Sequence, residues 1–144
     1  MHVRQILKSK GSDRVLTIRP DATVAEAARI LSECRIGSLV VSTDGQRVDG
    51  IISERDIVRE MGKRGVSALD ERVEEMMTEK VETCVADDQA DDVLTKMTQG
   101  RFRHLPVVEN EVMIGLISIG DVVKARLSEL SMEKDALEGM IAGR

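Results

Sequence analysis

A chain of 144 residues with 42% hydrophobic and 33% charged side chains has the balance of an ordinary globular protein, enough for one compact domain or two small paired ones. Phe102 is its only aromatic residue and its formal charge is −5, which removes both the stacking platforms and the positive field on which nucleic-acid binding relies. No run approaches the ~20 apolar residues of a membrane span, and no signal-type apolar stretch opens the chain, so a cytoplasmic protein without membrane attachment is expected.

In chain order, residues 2–7 read as a short helix with Val3, Ile6 and Leu7 on one face, and residues 8–13 as a polar loop. A strand is expected over 15–18. Thr23, with Glu26 three positions on, is a capping box for a helix whose inward stripe is Val24, Ala27, Ala28 and Leu31. Strands follow over 39–41 and 48–52, joined by a hairpin-type turn at 43–46 that contains Asp-Gly. A helix over 54–63 and a connector over 64–70 complete the first half. The second half reads as a short helix at 73–77, a strand at 81–84, a helix over 90–100, strands at 105–108 and 113–118, and a last helix from near Ile119 to Gly139. Cys34 and Cys84 have no Cys or His at metal-ligand spacing, so they are expected as reduced, partly buried thiols, and no metal site is expected.

The two halves repeat one another. Gly50-Ile51-Ile52-Ser53-Glu54-Arg55-Asp56-Ile57-Val58 returns as Gly115-Leu116-Ile117-Ser118-Ile119-Gly120-Asp121-Val122-Val123. The offset is 66 residues up to Val41/Val107 and 65 from Gly50/Gly115, so one residue is missing from the loop between Val107 and Gly115. A duplicated β-α-β-β-α unit follows, an α/β fold in which two units pack sheet to sheet about a pseudo-twofold axis. The expected division is residues 1–66 for the first unit with its leading helix, 67–127 for the second, and 128–144 for a helical extension.

With these motifs, together with Ile-Gly-Ser-Leu-Val-Val at 36–41 and Arg-His-Leu-Pro-Val-Val at 103–108, the chain resembles a stand-alone tandem CBS-domain pair, or Bateman module. The resemblance spans residues 3 to about 127. It implies a regulatory module, with two clefts for adenosine-containing ligands such as AMP, ADP, ATP, NAD(H) or S-adenosylmethionine, and a homodimer formed through helices of both repeats. The target protein is not implied. Asp56 and Asp121 match the position whose carboxylate accepts hydrogen bonds from ribose, bonds of roughly 1.5–3 kcal/mol each. Ser53 and Ser118 stand three residues earlier, within reach of ribose or phosphate. The bland reading of Ser-x-x-Asp is a capping box, and the two roles are compatible. N–H groups near Arg55 and Gly120 favour an anion.

Arg101, Arg103 and His104 supply positive charge, and Arg103 and His104 match positions that meet phosphate. Their first-repeat counterparts Gly37 and Ser38 are uncharged, so the clefts should differ, with Gly37, Arg103 and Ser118 near Asp121 in the better phosphate binder. A solvated rim for Arg101 and Arg103 and a structural place for His104 are the plainer alternatives. Leu16, Thr17 and Ile18, with Val81, Glu82 and Thr83, would border adenine, and Ile52, Ile117, Val40 and Pro106 would wall it. Catalysis is not expected: the chain has no nucleophile–base pair, and His2 and His104 are its only histidines. The competing reading is a ligand-independent interaction module that docks a partner through its C-terminal helix.

Overall fold

The computed structural model describes residues 1–11 and 15–141. The elements are α1 (Val3–Lys10), β1 (Thr17–Ile18), α2 (Val24–Cys34), β2 (Ser38–Val41), β3 (Gly50–Ser53), α3 (Glu54–Arg64), α4 (Val73–Met76), α5 (Ala90–Gly100), β4 (His104–Glu109), β5 (Val112–Ser118) and α6 (Ile119–Ile141), with a 3-10 turn at Val66–Asp70. The first helix therefore runs on to Lys10, where loop was expected, and Gly11 ends it with φ 72°. The remainder of that loop, residues 12–14, lies outside the described residues, as do residues 142–144.

The duplication is visible in the sheets, but it is uneven. In the first, β2 pairs antiparallel with β3 and parallel with β1. In the second, β4 and β5 pair through a two-residue turn, Asn110 and Glu111, both at positive φ. This tight hairpin is where the missing residue falls. The strand expected at 81–84 shrinks to one parallel bridge, Cys84 to Val107. Pro106 occupies the position of Val40 and has no N–H to offer a neighbouring strand.

Each sheet is covered on one face by helices. Ile18, Leu39 and Ile52 pack with Val24, Ala27 and Leu31 of α2 and Ile57 of α3. Leu105, Val107 and Ile117 pack with Val93 and Met97 of α5 and Val122 of α6. Truncating a fully buried member such as Ile52 or Ile117 to Ala would cost roughly 2–5 kcal/mol. Val40 and Pro106, equivalent by the repeat, are buried yet belong to neither helix-covered core, as expected where the two sheets face each other.

The helix ahead of each repeat is exchanged. Val3 and Ile6 of α1 enter the core of the second repeat, while Val73 and Met76 of α4 enter that of the first. The backbone bonds match: Val3 N–H donates to Asp88 O at 2.9 Å and Val73 N–H to Ala22 O at 2.8 Å. The glycines opening the repeated motif make room for these segments. A Cβ on Gly115 would stand 2.7 Å from Leu7, and one on Gly50 would stand 2.5 Å from Met77 Sδ and 2.9 Å from Thr78 O. Neither half closes its core without the chain crossing over.

Thr23 caps α2 through Glu26 N–H at 3.2 Å, half of the expected box. Of the two cysteines, Cys84 is buried, and burial pushes its thiol up to about 12. Cys34 is exposed rather than partly buried, because it ends α2 on the solvent side.

Candidate functional site

Period-two alternation sets the site. Along β3, Gly50 and Ile52 are buried while Ile51 and Ser53 are half-exposed; along β5, Gly115 and Ile117 are buried while Leu116 and Ser118 are half-exposed. Ser53 and Ser118 then cap α3 and α6 in the same way. Ser53 N–H donates to Asp56 Oδ2 at 3.0 Å, and Asp56 N–H to Ser53 Oγ at 3.2 Å. The corresponding distances for Ser118 and Asp121 are 2.9 and 3.1 Å. The capping reading is thus realised in both copies. Glu54 N–H is taken by Gly37 O at 3.0 Å and Ile119 N–H by Arg103 O at 2.8 Å, which narrows the anion-facing donors of these helix starts to Arg55 and Gly120.

The capped aspartates open into different cavities. The Asp121 cavity, about 380 Å³, is formed by Gly37, Ser38, Ser118 and His104, with Leu7, Lys10, Val15, Leu16, Arg35 and Leu116 around them. Lys10 donates to Asp121 Oδ2 and to Leu116 O, both at 2.8 Å. Burial raises the pKa of Asp121, but the Lys10 ammonium and the Ser118 contacts outweigh it and hold the carboxyl below its usual value. Among the described residues, none donates to its Oδ1.

The Asp56 cavity is larger, about 660 Å³, and carries Arg55, Arg59, Lys80, Arg101 and Arg103 against Glu54, Asp56 and Glu82. Two basic and one acidic side chain line the smaller cavity, five and three the larger, an excess of one positive charge against two. Here the aspartate is met from its own helix: Arg59 Nη2 donates to Asp56 Oδ1 at 3.1 Å. Arg35 and Arg101, related by the repeat, stand at the ends of α2 and α5 with φ of 53° and 57°. A left-handed arginine carries a cost of roughly 1–2 kcal/mol. That cost places one cation at the edge of each cavity.

The expected residues divide as follows. Ser53, Arg55, Asp56, Val81 and Arg103 meet in the larger cavity, Leu16, Ser118 and Asp121 in the smaller, and Gly37, Ser38 and His104 border both. Arg103 beside Asp121 was the expectation, and the structure places it with Asp56 instead, because the pseudo-twofold pairs the acidic turn of one repeat with residues 37–38 or 103–104 of the other. Gly120, Thr17 and Thr83 are not among the lining residues. Thr17 is already drawn into the sheet by pairing with Val40, so the cavity edge is made by Val15 and Leu16 before it, and by Val81 and Glu82 in the other copy. The apolar walls expected at Ile52 and Ile117 are core, and Ile51 and Leu116 take their place.

His104 is not the cation foreseen. Burial leads in lowering its pKa, so it is neutral at pH 7, and its Nδ1 lies 2.9 Å from Ser38 Oγ. Ser38 and His104 are counterparts in the repeat, so this contact sits on the pseudo-twofold axis. Sequence reasoning missed Lys10 and Lys80, and the signal was a second register. The leading helices repeat at an offset of 70, with Val3, Ile6, Leu7 and Lys10 answering to Val73, Met76, Met77 and Lys80. Among the described residues, no group of three His, Cys, Asp or Glu could hold a metal ion, and no helix is long and apolar enough to cross a membrane.

Comparison with known proteins adds an independent line. The family description of the CBS domain matches residues 3–63 and again 73–128. A mitochondrial CBS domain-containing protein of Arabidopsis thaliana, CBSX3, is 35% identical over 148 residues, covering 98% of this chain and 72% of that protein. Among solved structures, the CBS-domain containing protein ATU1752 from Agrobacterium tumefaciens superposes with a TM-score of 0.83 at 41% identity, over 88% of this chain and 99% of that one. The CBS domain pair of protein MJ0100, in complex with 5′-methylthioadenosine and S-adenosyl-L-methionine, superposes at 0.78 with 25% identity, over 90% and 98%.

Proposed function

The chain belongs to the CBS-domain family, and on that premise we propose that it is a sensor module: its two clefts bind adenosine-containing ligands and pass their occupancy to a second copy or a target protein. The observation that carries this reading is the pair of carboxylates, each clamped at one oxygen by the N–H of a serine at a strand end and each turned into a cavity. A carboxylate fixed in this way keeps its second oxygen for the hydroxyls of a ribose. In the smaller cleft that is Oδ1 of Asp121, while in the larger one Arg59 must swing away from Asp56. Ser53 and Ser118 flank the sugar, and Leu16 or Val81 borders the base.

Charge separates the two clefts. Phosphate groups suit the Asp56 cleft, where Arg55, Lys80, Arg101 and Arg103 converge, so AMP, ADP, ATP or NAD(H) belongs there. The smaller Asp121 cleft suits an adenosine ligand with less negative charge. The two ligands of the MJ0100 pair are of that kind. The role is regulatory, exerted through the difference in affinity a ligand has for two arrangements of the repeats.

Isothermal titration of the full chain with AMP, ATP, NADH, 5′-methylthioadenosine and S-adenosylmethionine tests this. Binding is expected, with Asp56→Ala weakening ATP or NADH at least tenfold and Asp121→Ala doing the same for the thioether ligands, as loss of a charged acceptor worth roughly 1.5–3 kcal/mol requires. Absence of heat with all five at millimolar concentration would leave an interaction module that needs no ligand.

A further inference from the structure

We infer that Arg35 selects the ligand of the Asp121 cleft, and that this ligand is an adenosine carrying one anionic group at its 5′ end, a phosphate ester or a carboxylate. The inference rests on the ribose-binding reading of that cleft and narrows it. Its starting point is a residue that the backbone disfavours. At the end of α2, Ile36 N–H donates to Leu31 O at 3.1 Å, and at the end of α5, Phe102 N–H donates to Met97 O at 3.2 Å. This closing bond sets a left-handed residue just before it, the place where helices favour glycine. The chain has arginine there in both repeats, Arg35 at φ 53° and Arg101 at φ 57°. Attraction between a cation and the helix end does not account for the choice. It can be had without strain from the last turn, where neither α2 nor α5 carries a basic residue. Both side chains line a cavity instead. Arg29, Arg59, Arg64 and Arg126 are tied to carboxylates, whereas Arg35 and Arg101 enter no ion pair among the described residues.

Charge balance makes Arg35 the deciding member of the pair. In the larger cavity Arg101 is one of five cations. In the smaller one Lys10 is committed to Asp121 and His104 is neutral, so Arg35 is the one cation of the lining that is not already matched. With Asp121 on the ribose hydroxyls and Leu16 beside the base, the 5′ end is the part of an adenosine left to meet it. A guanidinium fork pairs two N–H groups with two oxygens of a phosphate or a carboxylate. One unmatched cation suits one anionic group. A triphosphate would leave uncompensated charge close to Asp121, and it belongs with the cations of the other cleft.

Isothermal titration of the full chain in an Asp56→Ala background, which leaves the Asp121 cleft to be read, is the test. The probes are adenosine, AMP and S-adenosylhomocysteine. AMP, S-adenosylhomocysteine or both should bind about tenfold more tightly than adenosine, and Arg35→Gly should remove that advantage while changing the affinity for adenosine by less than about twofold. Arg101→Gly should leave the advantage intact. Glycine suits the left-handed position, so the urea midpoint of Arg35→Gly should not fall, and the lost affinity cannot then come from misfolding. A gain with AMP alone makes phosphate the group that Arg35 reads, and a gain with S-adenosylhomocysteine alone makes it a carboxylate. Equal affinity for all three probes, or an advantage that survives Arg35→Gly, overturns the role of Arg35 and leaves the ribose reading in place. No binding of any of the three overturns both.

Discussion

The two acidic turns are built alike and neutralised differently. Ser53–Asp56 and Ser118–Asp121 agree in every capping bond, yet Asp56 is met by Arg59 from its own helix and Asp121 by Lys10 from the exchanged segment 111 residues away in sequence. The backbone-determined part of the duplicated unit has been kept: the strand-end cap, the glycine under the crossing segment, the left-handed arginine at the helix end. The charges around it have drifted, with the larger cleft gathering the cations. Where the geometry is set by main-chain bonds, a copy can change little without losing the fold. Where it is set by exposed side chains, it is free to specialise.

The widest separation between the halves should appear in stability. At Gly50 the obstacle to a side chain includes the backbone carbonyl of Thr78, while at Gly115 it is the movable end of Leu7. Gly50→Ala should therefore cost roughly 3 kcal/mol, the upper end for overpacking, and Gly115→Ala about 1 kcal/mol, measured by urea denaturation. Equal costs would mean the crossing segments are held alike.

A smaller difference separates the clefts in binding. In an Asp121→Ala background, Arg103→Ala should weaken ATP about tenfold, roughly 1.4 kcal/mol, and Lys10→Met less than twofold. The reverse order would return the phosphate role to the Asp121 cleft. Smallest is the effect of pH. Burial lowers the pKa of His104 below 6.5, so the unfolded chain binds that proton more readily than the folded one. Its neutral form favours the fold at pH 7, and this contribution is lost as pH falls below about 6.5 and through the lower folded value. His104→Asn should flatten the decline in unfolding free energy between pH 7 and 5, while Asp121→Asn should lower the unfolding free energy across that range without changing its slope, because the carboxylate's contribution is fully present there and is lost only as pH falls below about 3.8.

The repeat, the bounds of α5 and the order of elements, apart from the strand expected at 81–84, could be read from residue pattern alone, because hydrophobic period and turn chemistry are local. The site was legible where it follows from that pattern, at Ser53, Asp56, Ser118 and Asp121. It was not legible where the pseudo-twofold decides which side chains meet. Arg103 and Asp121 belong to the same repeat, and the axis places them in different cavities. Lys10 and Lys80 were hidden because the leading segments that carry them repeat at a register of their own and pack on the opposite half. Ile51 and Leu116 could have been found from Ser53 and Ser118, since residues two apart in a strand share a face.

The Ser38–His104 contact makes the two cavities neighbours through a partition one hydrogen bond thick. An imidazole has one orientation at a time, so a guest that rotates it on one side redraws the wall seen from the other. On the proposed reading of the clefts, titration curves call for a two-site scheme with an interaction constant, and that constant must read the same whichever guest is added first.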